Sequence, residues 1–224
     1  MVNPVPDAEE MAAFFDRRAC SYDDHMRRSV AEFDAFYRQI AEQIDRTEEP
    51  IAILDLGCGT GLELEFILNR APNACVTAVD LSSEMLSQLT EKYVDKSEQI
   101  TAVRSSYLRL DIEAASWDYV VSVMTLHHLT RAEKTRLYRA IHRGLKPGGS
   151  YIEGDYVVGK EGEEEHRERY RRLRRAHPEM AQGTYHVDIP FSIETQLALF
   201  SAAGFSETEV VWEGGEAAVF LARR

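Results

Sequence analysis

Cysteine is scarce: Cys20, Cys58 and Cys75 are the three in 224 residues, and their spacing suits neither a metal cluster nor a disulfide framework. Such usage points to a reducing cytosol. No run approaches the ~20 apolar residues of a membrane span. The opening Met1-Val-Asn-Pro-Val-Pro-Asp7 lacks the charged-then-apolar pattern of a signal peptide, so a cytoplasmic chain with no membrane partner is expected. Basic residues are also in short supply, 26 Lys and Arg against 38 Asp and Glu, for a net charge of -12. That balance argues against broad binding to nucleic acid or anionic membranes and leaves only a local basic patch open. No internal repeat or low-complexity stretch interrupts the chain. Its length suits one α/β domain with a modest cap.

What the chain does have is concentrated in Ile51-Ala-Ile-Leu-Asp-Leu-Gly-Cys-Gly-Thr-Gly61. Ile51 to Leu56 does not alternate with polar residues, so it reads as a strand buried on both faces. Gly57, Gly59 and Gly61 then permit a tight turn whose backbone a ligand can approach directly. Leu62 to Leu68 continues as a helix, which aims unpaired N–H donors at the turn. No Gly-Lys-Ser/Thr follows, and this removes the P-loop reading. A second buried strand, Cys75 to Val79, delivers Asp80 at its carboxyl end, nineteen residues after Gly61. At that distance a strand-helix-strand unit brings a carboxylate to ribose hydroxyls. The turn is G-x-G-x-G with Asp55 two residues ahead of it, and not the G-x-G-x-x-G of dinucleotide enzymes.

On these residues the chain resembles the class I S-adenosylmethionine-dependent methyltransferases, small-molecule type. Further support comes from Ala78-Val-Asp-Leu-Ser-Ser-Glu-Met-Leu86, from Trp117 through His127-His-Leu129, and from Leu145-Lys-Pro-Gly-Gly149. Phe14 to His25 is similar to the lid that such enzymes carry ahead of the core. The resemblance implies a Rossmann-like, doubly wound α/β sheet of seven strands, mostly parallel with an antiparallel last strand. A helical lid over 1–48, a cofactor core over 49–155, a cap insert over 156–190 and a closing helix and hairpin over 191–224 would make one domain, 1–224.

The residue pattern agrees with this organisation. Two helices are expected within 7–46, one carrying Phe14 and Phe15, the other an apolar face of Phe33, Phe36, Tyr37 and Ile40. Strands are expected near 51–56, 75–80, 99–103, 117–123 and 149–155, alternating with helices as in a parallel sheet. A helix near 192–203 opens at Ser192-Ile-Glu-Thr and stops at Ala202-Ala-Gly204. Two strands, 206–212 and 216–222, then meet through Glu213-Gly-Gly-Glu216 as a hairpin.

The resemblance assigns Asp55 and the turn Gly57, Cys58, Gly59 and Gly61 to the methionine end of S-adenosylmethionine, whose product is S-adenosylhomocysteine. Asp80 would take both ribose hydroxyls, Leu81 would pack on adenine, and Tyr22 would close over the donor. The bland alternative for Asp80 is a turn acid ahead of the helix near Ser82. The sequence departs from the family after the third strand, where Ser106 stands at the position of an adenine-binding acid. Ser106 and the Tyr107 backbone N–H are the expected adenine contacts, the uncharged hydroxyl a weaker one. Asp111 lies about five residues too late to substitute.

At the carboxyl end of the fourth strand, Met124-Thr-Leu-His-His-Leu129 sits where open α/β sheets bind ligands. Neither an Asn/Asp-Pro-Pro-aromatic motif nor a Pro-Cys nucleophile is present, which argues against amino or C5 methylation of nucleobases. His127, His128 or His186 could serve as general base. Adjacent residues at a strand end face opposite ways, so only one of His127 and His128 is expected at the substrate. His25, Met124, Asp155, Tyr156 and Tyr185 are the expected acceptor contacts. His186-x-Asp188 with the histidine pair could orient a base or hold a metal, but the spacing is too unspecific to assign a metal. Methyl transfer needs mainly in-line positioning, so no base is obligatory.

Glu161 to Arg175 places six arginines behind a cluster of acids. Arginines of this kind could grip a tRNA backbone. Glu163–Arg167, Glu165–Arg169 and Glu168–Arg172, however, fall at i,i+4, as on a solvated cap helix. The reading is a methyltransferase for a small-molecule acceptor; the alternatives are a tRNA wobble-uridine methyltransferase and a non-catalytic S-adenosylmethionine sensor.

Overall fold

Apolar runs that do not alternate become the buried central strands of the sheet, and more polar, partly exposed strands close its two edges. The structure is a computed structural model and describes residues 9–224; the opening heptapeptide and the start of the first expected helix lie outside the described residues. Strands β1 (Ala52–Leu56), β2 (Cys75–Asp80), β3 (Ile100–Arg104), β4 (Trp117–Val123), β5 (Leu145–Tyr156), β6 (Glu207–Gly214) and β7 (Ala217–Arg223) form one sheet in the order β3-β2-β1-β4-β5-β7-β6. β7 runs antiparallel to both neighbours, and the pairings among β1 to β5 are all parallel. The strand order reverses between β1 and β4, which makes the carboxyl edge there the place for a ligand.

Successive strand residues feed opposite cores. Ile53, Val121, Ile152 and Val219 pack on one face beneath the helices α3 (Phe33–Glu42), α4 (Leu62–Leu68) and α5 (Ser83–Lys92). Leu54, Val120, Tyr151 and Phe220 pack on the other beneath α6 (Arg131–Gly144) and α8 (Ile193–Ala203). Each fully buried side chain of this kind is worth about 1.5–3 kcal/mol. α6 opens on a capping box, Thr130 with Glu133, and α8 on the Ser192 hydroxyl, which accepts from the Thr195 N–H. α8 stops at Gly204, whose φ of 110° is open to glycine.

The described N-terminal segment corrects the expected pair of helices. It has α1 (Met11–Asp16), a 3-10 turn (Ala19–Ser21) and α2 (Tyr22–Ser29) ahead of α3. The apolar residues before α3 follow two short periodicities and not one, and Glu32 turns the chain into α3 at φ 52°. Asp23 of α2 accepts from the Thr60 hydroxyl at 2.5 Å and from Lys92 at 2.6 Å, which fastens the lid to the glycine turn. Asp16 accepts from the Ser82 hydroxyl at 2.6 Å and the Glu84 N–H at 3.2 Å.

The insert forms α7 (Lys160–Ala176), an exposed helix with its own small cluster of Leu173, Met180 and Val187. None of the three expected i,i+4 pairs forms among the described residues. Arg167 pairs with Glu164, and Arg171 with Glu168 and Glu164. Glu163 faces inward, where it accepts from the Ser192 N–H at 2.9 Å, and this removes it from the solvent row. No helix among the described residues is long and apolar enough to cross a membrane.

Candidate active site

The glycine turn after β1 sits against the loop after β4. Gly57 has φ 75°, and a Cβ there would lie 2.3 Å from the Thr125 hydroxyl. Any larger residue would therefore force apart the two loops that flank the switch point. Gly57 and Cys58 donate their N–H groups to Val79 O at 2.8 and 3.1 Å. Asp80 binds across the same turn, accepting from the Gly59 N–H at 2.9 Å and the Ser82 N–H at 2.8 Å. Burial still pushes its carboxyl above the usual range, against the pull of those N–H bonds. α5 is capped by the Ser82 hydroxyl, so Asp80 is not the cap.

A narrow cleft of about 40 Å³ runs past Gly57, Asp80, Leu81, Ser106 and Tyr107, with Met11, Ala12 and Phe15 of α1 over it. Five of the residues expected to hold the cofactor thus meet in one groove. Asp111 is exposed, away from the groove. Asp55, Cys58, Gly59 and Gly61 form the base of the turn, and Tyr22 lies over Gly59 in the lid. Beside Asp55 stands Glu63, which pattern reading passes over because it looks like an ordinary helix acid. Both Asp55 oxygens and one Glu63 oxygen are buried, and among the described residues no donor group reaches them; the two acids have only each other. Burial first, then the neighbouring Glu63 charge, raises the Asp55 carboxyl well above the usual range, and burial raises Glu63 as well. Two buried acids that meet only each other at a glycine turn suit a cationic ligand group.

A second cavity, about 460 Å³, adjoins the first and is lined by Phe14, Phe15, Tyr22, His25, Met124, His127, His128, Tyr156, His186 and Asp188 among others. His128 and Phe15 line both cavities. Here the expectation that only one of His127 and His128 would face the substrate is corrected. The two lie on a 3-10 turn, Leu126–His128, and not on extended chain, so they share a side. Asp155 also stands elsewhere than expected. It is 2% exposed behind His127, whose Nδ1 lies 2.5 Å from its Oδ1. Tyr185 turns away to the Leu173–Met180–Val187 cluster, because extended backbone puts it on the side opposite His186.

His186 stacks on Phe14 with ring centroids 3.5 Å apart. Burial first, then the neighbouring His128, holds its imidazole down to about 4. Burial and His127 likewise lower His128. Both rings therefore present neutral nitrogen lone pairs at neutral pH. Asp188 is held below the usual carboxylate range; burial opposes this, but the hydrogen bond and charge of the surrounding histidines outweigh it. Its neighbourhood with His127 and His128 is a contact across some sixty residues of chain that spacing alone does not reveal.

An open α/β sheet with a nucleoside-type cradle at its switch point is the class that this fold and site define. Residues 53–149 match the methyltransferase domain family. The malonyl-[acyl-carrier protein] O-methyltransferase of Priestia megaterium is 30% identical over 62% of this chain and 48% of its own length. The carboxy-S-adenosyl-L-methionine synthase of Campylobacter curvus is 24% identical over 90% of this chain and 89% of its own. In fold, the chain is similar to human N-acetylserotonin methyltransferase in complex with S-adenosylmethionine, with a TM-score of 0.66, 16% identity, and coverage of 96% of this chain and 56% of that one. The chain spans about half the length of the first of these relatives and most of the second. It belongs to the class I S-adenosylmethionine-dependent methyltransferases.

Proposed function

We propose that this chain moves the sulfonium methyl group of S-adenosylmethionine to a small-molecule acceptor held in the histidine-lined cavity. The observation that carries this reading is the shared wall: His128 and Phe15 face both the cofactor cleft and the larger cavity, so the two ligands would be neighbours. Asp80 and Ser106 would hold the nucleoside, with Leu81 and Tyr107 against its base, and Asp55 with Glu63 would face its cationic end. When bound, the sulfonium supplies an already activated methyl group, so the protein's main task is orientation. The lid aromatics Phe14, Phe15 and Tyr22 exclude water from that encounter. In this reading residues 1–48 form the lid, 49–155 the cofactor core, 156–190 the cap over the acceptor, and 191–224 complete the sheet.

A cavity of about 460 Å³ suits a small acceptor better than a folded RNA. On α7, Arg167 and Arg171 are taken up by Glu164 and Glu168, which weakens the tRNA reading. The test is isothermal titration with S-adenosylmethionine and S-adenosylhomocysteine, on the native chain and on Asp80→Ala. We expect micromolar binding that falls at least tenfold in the variant, followed by label transfer in an acceptor screen with methyl-labelled donor. Absence of binding to a folded native chain would overturn the reading.

A further inference from the structure

The cap and the loop after β4 bring three imidazoles to one carboxylate oxygen. Asp188 Oδ1 lies 3.2 Å from His128 Nδ1, 3.7 Å from His127 Nε2 and 3.9 Å from His186 Nε2. The two longer separations exceed hydrogen-bond distance. They do approach the spacing of neighbouring ligands about a tetrahedral ion, roughly 3.3–3.5 Å when each bond is 2.0–2.2 Å long. Donor atoms of His127, His128 and Asp188 all fall within 4.8 Å of one another. We propose that His127, His128 and Asp188 form a site for a divalent transition cation of the zinc class at the wall of the acceptor cavity, with its fourth position open to the acceptor and His186 beside it. The inference deepens the methyl-transfer reading and rests on it for its role.

The surroundings are built as a metal site is built. Asp155 Oδ1 already accepts from the Tyr156 N–H at 2.9 Å and lies 2.5 Å from His127 Nδ1. That contact makes Nδ1 the proton-bearing nitrogen and leaves the Nε2 lone pair turned to Asp188. A buried carboxylate behind a histidine is the usual device for orienting a metal ligand. Without a proton or cation between them, His127 Nε2 and Asp188 Oδ1 would be two electron-rich atoms facing each other. The ligand segments are also tied together by backbone: Ile189 donates its N–H to His127 O at 2.8 Å, and His186 donates to Glu9 O at 3.0 Å. Two nitrogens and one oxygen suit a borderline cation that keeps an open position; magnesium and calcium prefer all-oxygen sets.

Such an ion would bind the nucleophilic atom of a thiol or alcohol acceptor and ionise it at neutral pH, as zinc does to water. The acceptor's proton leaves to solvent. The heteroatom's electron pair then forms the bond to the methyl carbon, and the electrons of the broken carbon–sulfur bond return to the donor sulfur. This would supply an activated nucleophile without a dedicated general base.

The test uses the full chain, stripped with a chelator and titrated with cobalt(II), followed by its visible ligand-field absorption. One equivalent should bind, and zinc should displace it. Asp188→Asn and His127→Ala should each weaken binding at least tenfold, and Asp155→Asn by about 10–100-fold through the orientation of His127. Adding 2-mercaptoethanol to the cobalt form should produce a thiolate-to-metal charge-transfer band. Asp80→Ala should keep its cobalt affinity while losing S-adenosylhomocysteine, which separates this site from the donor site. A native chain that binds S-adenosylhomocysteine yet takes up no cobalt overturns the proposal, as does cobalt uptake that survives Asp188→Asn and His127→Ala. Cobalt uptake with no band from the thiol overturns the acceptor-binding role. If cobalt binds as expected and S-adenosylhomocysteine does not, the metal site stands and the methyl-transfer reading fails.

Discussion

Two groups of carboxylates are buried on opposite faces of the same sheet, and the fold treats them in opposite ways. Glu153 of β5 has every oxygen partnered. Oε1 meets Lys134 at 3.1 Å and Gln196 at 3.0 Å, and Oε2 accepts from Tyr138 and Tyr151, each at 2.7 Å. Asp55 and Glu63, below the glycine turn, face each other, and among the described residues no donor group reaches three of their oxygens. A satisfied network of this kind pins α6 and α8 to β5 and can serve the fold alone. An unsatisfied pair costs stability in the free protein, and a cationic ligand group can recover that cost.

The largest expected effect comes from emptying the satisfied side. Glu153→Ala leaves the Lys134 ammonium buried without its counter-charge, a change that costs about 3–5 kcal/mol. Urea unfolding measures it, and a loss below about 1 kcal/mol would erase the contrast. On the other face, Asp55→Asn should leave folding stability unchanged or slightly higher, because burial already holds this carboxyl toward its neutral form and an amide can donate to Glu63. Affinity for S-adenosylhomocysteine should drop about tenfold or more, in line with the ~1.5–3 kcal/mol of a charged contact. If this variant unfolds as readily as Glu153→Ala, the two acids play the same part and the comparison fails.

Smaller effects sharpen it. Asp16→Ala removes the acceptor for the Ser82 hydroxyl and the Glu84 N–H. About 1 kcal/mol of local stability should go with them, seen as faster hydrogen exchange over 11–29 with no shift in the global unfolding midpoint. The smallest effect is one of pH. Burial raises the Glu163 carboxyl, but the Ser192 N–H, the Thr195 and Ser192 hydroxyls and Arg131 outweigh burial and hold it below the ordinary value. Its contribution is therefore complete above the ordinary carboxylate range and is lost as pH falls through its lowered value. Proteolysis within α7 should speed up on acidification in the native chain, and Glu163→Gln should show the fast rate already at neutral pH.

The first strands could be read from the chain because they are apolar runs closed by glycine or acid. Leu62–Leu68 and Cys75–Asp80 fall where the pattern places them. The lid was harder to read, since a 3-10 turn and a left-handed Glu32 depend on tertiary packing and leave no periodic mark. Lys134 and Glu153 look like surface residues to a pattern, and only the pairing of β5 with α6 and α8 explains their burial. In the site, the glycine turn and Asp80 announce themselves by spacing. Asp155 behind His127 and Asp188 beside it do not, because each contact joins segments far apart in the chain. Adjacent histidines face apart only on extended backbone, and the 3-10 turn Leu126–His128 instead puts both rings on the cavity wall.

The helix α1 is six residues long, yet it walls both cavities, with Phe14 and Phe15 on one side and Met11, Ala12 and Phe15 on the other. A ligand in either cavity would therefore press on the same short helix, and filling one should alter access to the other. If methyl transfer waits on movement of this helix, turnover should fall as solvent viscosity rises and respond little to the intrinsic reactivity of the acceptor.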